Sequence, residues 1–138
     1  MRVVLDANVF VSAATQKGPA HRIVLDWLDQ QTFELVMCPA LLEEVRSVLT
    51  ERPRLRRWID LETAMTFIET LAATVDFSPD PILSTAFTRD PNEDYLVALG
   101  RIENADFIVT GDKDLLDWPE QQPPVVTPAA FEQLLQYQ

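Results

Sequence analysis

The stretch RVVLDANVFVSAA, Arg2 to Ala14, decides the fold. Val3, Val4 and Leu5 run without polar alternation straight into Asp6, and Asn8 follows two positions later. A short apolar run rich in β-branched residues reads as a central strand covered on both faces, as in a parallel sheet. The strand expected over 2–6 then gives way to a short helix expected over 9–14. An acid and an amide at that junction have two readings. They suit an Asx-turn that caps the helix. They also suit a ligand site, because open parallel sheets bind ligands beyond the carboxyl ends of their strands.

Working outward, four more runs read as strands: 33–38 (FELVMC), 73–77 (ATVDF), 106–110 (DFIVT) and 124–127 (PVVT). Helical patterns fill the gaps. Gly18-Pro19 opens one with Ile23, Trp27 and Leu28 on a face, and Pro39 opens another with Leu41, Leu42, Val45, Val48 and Leu49 inward. Asp60 is the expected N-cap of a third, with Thr63, Phe67 and Leu71 behind it. A fourth runs from Asn92 to about Asn104 with Leu96, Leu99 and Ile102 facing inward, and Thr127-Pro128 starts the last. The alternation predicts one α/β domain over residues 1–138 with a mostly parallel sheet.

The 138 residues, 47% hydrophobic, suffice for one core. The lone Cys38 allows no intrachain disulfide, and no apolar run approaches the roughly 20 residues that span a bilayer. A soluble, cytoplasmic protein with no membrane partner is expected. The net charge of −11 argues against nucleic acid at first sight. It is unevenly spread: residues 1–59 sum to +1 and residues 60–138 to −12. Arg52, Arg54, Arg56 and Arg57 cluster in ERPRLRRW, either as a solvated helix face or as an anion contact.

The acids collect at one predicted end of the sheet. Asp6 ends the first strand, Asp112 follows DFIVT, Glu43 and Glu44 lie early in the helix after the second strand, and Asp90 and Asp94 lie where the fourth helix begins. Each has an ordinary alternative: Asp112 as N-cap of KDLL, Asp114 and Asp94 as first-turn acids, Asp90 as a turn starter before Pro91, Glu43 and Glu44 as solvated surface. Together they make a set that repels itself unless a cation neutralises it, and all-oxygen donors suit Mg²⁺ or Mn²⁺. Zinc lacks its ligands, since Cys38 and His21 are each alone of their type. No nucleophile elbow accompanies that single His, and three scattered glycines make no phosphate loop.

Together, VVLDANVFVSA, PALLEEVRSVL and RDPNEDYLVALGRIENADFIVTGDKDLL resemble the PIN-domain ribonucleases over roughly residues 2–127, and among them the VapC-like toxins of toxin–antitoxin pairs. The resemblance implies a three-layer α/β/α fold with a five-stranded parallel sheet ordered 3-2-1-4-5. It implies a catalytic and metal-binding set of Asp6, Glu44 (with Glu43 the alternative), Asp94 and Asp112, supported by Asn8, Asp90, Thr110 and Asp114. Cys38, Tyr95 and Gly100 stand where the family more often has Ser, Asn and Ala.

The function so implied is hydrolysis of RNA phosphodiesters with one or two Mg²⁺ or Mn²⁺ ions, leaving 5′-phosphate and 3′-hydroxyl ends. An antitoxin protein and a homodimer are the implied partners, and the arginine cluster is a candidate RNA contact. An antitoxin helix would need an apolar groove, to which Trp27, Trp58 or Trp118 would contribute if exposed. Two rival readings stand beside this one. The first is a catalytically silent PIN-fold interaction module, whose sequence mark would be a lost carboxylate. The second is another Mg/Mn-dependent nuclease acting on DNA, which usually carries longer insertions.

Overall fold

The computed structural model describes residues 1–82, 91–119 and 121–137, and the side chains of residues 91–94 lie outside that description. Strand β1 (Arg2–Leu5) occupies the middle of the sheet. It pairs in parallel with β2 (Glu34–Val36) on one side and β3 (Phe107–Val109) on the other, and β3 pairs in parallel with β4 (Val125–Val126). The order is β2-β1-β3-β4. Val3, Val4 and Leu5 are fully buried, as a strand covered on both faces requires.

The sheet has four strands among the described residues, not five. The expected third strand over 73–77 shrinks to one parallel bridge, Met37 to Phe77, on the outer side of β2. Two causes are visible. Helix α4 (Leu61–Thr74) claims the first two residues of the run. Pro79 and Pro81 follow directly, and neither has an N–H to continue a ladder. The Ser78 N–H still reaches the Met37 carbonyl at 2.8 Å, so the segment lies at the expected edge.

Helices α1 (Ala7–Thr15) and α2 (Pro19–Gln30) connect β1 to β2, and α1 packs on both α2 and α3 (Pro39–Glu51). A 3₁₀ turn, Pro53–Arg57, joins α3 to α4, which lies against α3. Helix α5 (Pro91–Ile102) packs on β1 and β3, with Leu96 and Leu99 in the core. Ile102, expected inside, is 57% exposed in the last turn of α5. After β3 come the one-turn helix α6 (Lys113–Leu116), β4 and α7 (Pro128–Gln136).

The caps form as expected at two starts. Asp60 accepts from the Thr63 N–H at 2.7 Å, and Thr127 accepts from the Ala130 N–H at 3.1 Å. Helix α7 docks on α2 and drives Phe131, fully buried, edge-on against Phe33 at 5.2 Å. The amino end of the sheet is closed by Arg2. Its guanidinium bonds to Glu34 at 2.7 Å and to the Glu103 carbonyl at 2.8 Å, while its N–H bonds to Asp106. The carboxyl end carries the candidate site.

Candidate active site

Adjacent parallel strands deliver the first two acids. The Asp6 N–H continues the β1–β3 ladder to the Val109 carbonyl at 3.0 Å, and the Thr110 N–H continues the β3–β4 ladder to Val126 at 3.0 Å. Both residues are buried, Asp6 at 8% and Thr110 at 0% exposure, and they are the buried polar residues of the described chain. The Thr110 hydroxyl donates to Asp6 Oδ2 at 2.7 Å, and the same Oγ accepts the Asp112 N–H at 3.0 Å. One side chain thus fixes the rotamer of Asp6 and the backbone that carries Asp112.

Asp6 holds the N-cap position of α1 without a side-chain cap bond there. Burial pushes its pKa above the usual carboxylate value. The Thr110 hydrogen bond and the Asn8 and Ala7 amides work against that push, and the nearby Asp112 charge adds to it. Asp112 caps α6 through the Asp114 N–H at 2.9 Å, so its ordinary role as an N-cap is present alongside its position beside Asp6. Asn8 and Asp114 are exposed.

The other acids come from helices. Glu43 is exposed and its carboxylate is held by Arg46. Glu44 is half-buried, and its charge, like that of Asp6, bears on the Tyr95 phenol. Asp94 lies in the first turn of α5, with its side chain outside the described residues, and Asp90 lies outside them altogether. Among the described residues no three His, Cys, Asp or Glu side chains stand close enough to hold a metal ion unaided.

One neighbour, Asp80, escaped the sequence reading, and another, Tyr95, entered it only as a departure from the family pattern. Asp80, forty residues along the chain, accepts the Ala40 N–H at 2.8 Å at the start of α3 and lies beside Cys38. No local spacing signals that contact; only the turn-forming SPDP stretch marks the place. The Tyr95 hydroxyl is buried with no hydrogen-bond partner among the described residues. Burial raises its pKa, as do the Cys38, Glu44, Asp6 and Asp80 groups around it, so the phenol stays protonated. Burial, reinforced by Asp80, likewise pushes the Cys38 thiol up to about 11, which makes it an inert core residue rather than a nucleophile.

The arginine cluster divides. Arg52, Arg54 and Arg57 are exposed, and Arg57 stacks on Trp58 at 5.3 Å. Arg56 is half-buried and donates to the Leu49 carbonyl at the end of α3. Trp27 is a core residue, Trp118 is half-buried under Arg101, and Trp58 is 59% exposed.

This geometry has known counterparts. The sequence profile described as the PIN domain matches residues 2–114. An uncharacterised protein of Methanocaldococcus jannaschii, MJ1680, is 27% identical over 84% of this chain and 74% of its own length. The crystal structure of PAE2754 from Pyrobaculum aerophilum superposes with a TM-score of 0.72 at 18% identity, covering 100% of this chain and 91% of that one. That of VapBC2 from Rickettsia felis, bound to a DNA fragment from their promoter, gives 0.61 at 11% identity, covering 91% and 97%. The chain belongs to the PIN-domain family, whose members are generally nucleases that use divalent metals. No helix among the described residues is long and apolar enough to cross a membrane.

Proposed function

From its place among the PIN domains, we propose that this chain is a metal-dependent endoribonuclease, the toxin of a toxin–antitoxin pair. The observation that carries the reading is Asp6. It is a buried carboxylate at the end of the central strand, held by Thr110, with Asp112 next to it. A carboxylate kept 8% exposed beside a second acid, with no basic partner among its described hydrogen bonds, is poised for a cation.

The donors fit a hard divalent ion, because the carboxylates are all-oxygen ligands and the one nearby thiol stays protonated. Asp6, Glu44, Asp94 and Asp112 would hold one or two Mg²⁺ or Mn²⁺ ions. A bound ion would supply Lewis acidity, making water a better nucleophile and offsetting charge on the phosphodiester. The protein's part is positioning. Thr110 holds Asp6 in one rotamer, and its bond from the Asp112 N–H keeps the two acids in register. Asn8, Asp90 and Asp114 would support the set from its rim.

The antitoxin part of the reading is supported by an apolar cleft. Leu61 and Met65 are 46% and 50% exposed on α4, beside Ile68 and facing Arg46 and Thr50 of α3. An amphipathic helix fills such a groove. Met65→Lys is expected to abolish inhibition by the antitoxin while leaving cleavage by the isolated chain unchanged; inhibition that survives would remove the cleft from the reading. A homodimer belongs to the same reading, and sedimentation would show a monomer if that part is wrong.

Cleavage of labelled single-stranded RNA at low salt with Mn²⁺ or Mg²⁺ tests the whole. It should require the metal, stop with EDTA and vanish in Asp6→Asn. A folded protein that neither cuts RNA nor binds metal by calorimetry would be the silent interaction module instead. Preferential cleavage of DNA would make it the other nuclease.

A further inference from the structure

The sequence offers four clustered arginines as nucleic-acid contacts without distinguishing them. The structure separates them by what each side chain already does. Among the described residues, Arg2, Arg22 and Arg46 are bound to carboxylates, and Arg56 is bound to the Leu49 carbonyl. Arg57 lies over Trp58. Among the described residues, Arg52 and Arg54 have neither a carboxylate nor a ring to hold them, and Arg52 lines a cleft that reaches the candidate site.

That cleft runs along α3. Ala40, Glu44 and Val48 follow at four-residue spacing and form one ridge of the helix, Arg52 lines the same cleft from the extended residue just past the helix end, Glu43 and Ser47 lie in the adjacent row, and Tyr95 is the facing wall. Glu44 and Tyr95 belong to the acidic end. Arg52 stands at the other end, where α3 stops and the chain turns into Pro53–Arg57. Seven helical steps lead from Glu44 to Glu51 and one extended residue follows to Arg52, about 12 Å in all, which is three to four nucleotides of a stacked single strand at about 3.4 Å each. The middle of the cleft, Ser47 and Val48, is uncharged, and the Glu43 charge is engaged by Arg46.

We propose that a single RNA strand lies along α3 from the Glu44–Tyr95 end and that Arg52 grips one of its phosphates a few nucleotides from the cleaved bond. This rests on the ribonuclease reading and adds the path of the substrate to it. Arg52 is a binding residue, not a catalytic one. A guanidinium with no carboxylate partner among the described residues, at the far end of an otherwise acidic or neutral cleft, sets how the strand enters. On a chain of net charge −11 that one contact carries a large share of the attraction.

The test compares wild type with Arg52→Ala, Arg52→Lys, Arg54→Ala and Arg57→Ala. Fluorescence anisotropy of a labelled single-stranded RNA is read across a salt series in EDTA, where no cleavage occurs, and KM and kcat are measured with Mn²⁺. Arg52→Ala should weaken binding about tenfold, reduce the salt slope by about 0.7 and raise KM while kcat at saturation stays within twofold. Arg52→Lys should keep the slope. Arg54→Ala and Arg57→Ala should stay within twofold of wild type. An Arg52→Ala protein with unchanged affinity and slope overturns the proposal, as does an equal loss in all three alanine variants, which would mean diffuse attraction. Tighter binding of duplex DNA than of the single strand overturns it too. Because binding is read without cleavage, an inactive wild-type protein that still shows the Arg52 pattern would sink the nuclease reading alone. Metal-dependent cleavage indifferent to Arg52 would sink this inference alone.

Discussion

The Thr110 hydroxyl donates a hydrogen bond to Asp6 Oδ2 at 2.7 Å, across the junction of two adjacent parallel strands. The same oxygen takes the Asp112 N–H at 3.0 Å, so the hydroxyl couples the two strand-end acids. Thr110→Val keeps the shape and removes both bonds. Loss of a buried hydrogen bond to a carboxylate should cost about 2 kcal/mol in the metal-free protein at neutral pH. Metal affinity or cleavage should fall about 10- to 100-fold, the usual effect of disturbing a group that orients a ligand. Thr110→Ser should restore most of both. Urea unfolding and metal titration of the three proteins check this; a valine variant that binds metal like wild type would leave Thr110 with a packing role only.

Tyr95 presents the opposite situation, a buried hydroxyl with no partner among the described residues. An unsatisfied buried polar group costs about 1–3 kcal/mol. Tyr95→Phe deletes that group and leaves the ring, so the metal-free protein should gain roughly 1 kcal/mol, seen as a higher urea midpoint with unchanged slope. A lower midpoint would show that the hydroxyl is hydrogen-bonded in solution.

The sequence was most legible where structure is local. The apolar run 3–5 is the central strand, and the caps at Asp60 and Thr127 form because each needs only its own helix. Placing Asp6 and Asp112 together needed just one tertiary fact, that β1 and β3 are neighbours, and the parallel register supplies it. The misreadings are competitions between elements. Val75 and Phe77 favour a strand, yet α4 extends to Thr74 and two prolines follow, so a bridge remains. The Asp80 cap on α3 crosses forty residues and leaves no periodic trace. Gly100 gains a reason only in three dimensions: an added Cβ would come within 3.1 Å of the Pro123 ring, from a loop that helical patterning cannot place.

Phe131 anchors α7. It is fully buried, edge-on to Phe33 at 5.2 Å and tilted against Phe107 at 6.2 Å, so it ties the last helix to β3 and to the residue before β2. Phe131→Ala should lose about 3–5 kcal/mol, measurable as a lower urea midpoint. Leu134, 38% exposed on the same helix, should tolerate alanine within about 1 kcal/mol. Similar losses at the two positions would mean that α7 is not anchored through Phe131.

The same helix carries an acid-sensitive tie. Glu132 accepts from Arg22 of α2, with one N–O distance of 3.0 Å, and that hydrogen bond, helped by the guanidinium charge, holds its pKa below the ordinary glutamate value against the opposing effect of burial. A carboxyl whose pKa is lower folded than unfolded stabilises the fold fully above its unfolded value, about 4.5, and loses that contribution as pH falls through the folded value. Comparing Glu132→Gln with wild type isolates this pair from the other acids. The stability gap between the two should be constant from pH 7 to about 5 and close below about 4.5. Arg22 is 57% exposed, so the gap should also narrow in high salt. A gap that persists unchanged at pH 3 would mean that Glu132 acts through packing on α2 rather than through its charge.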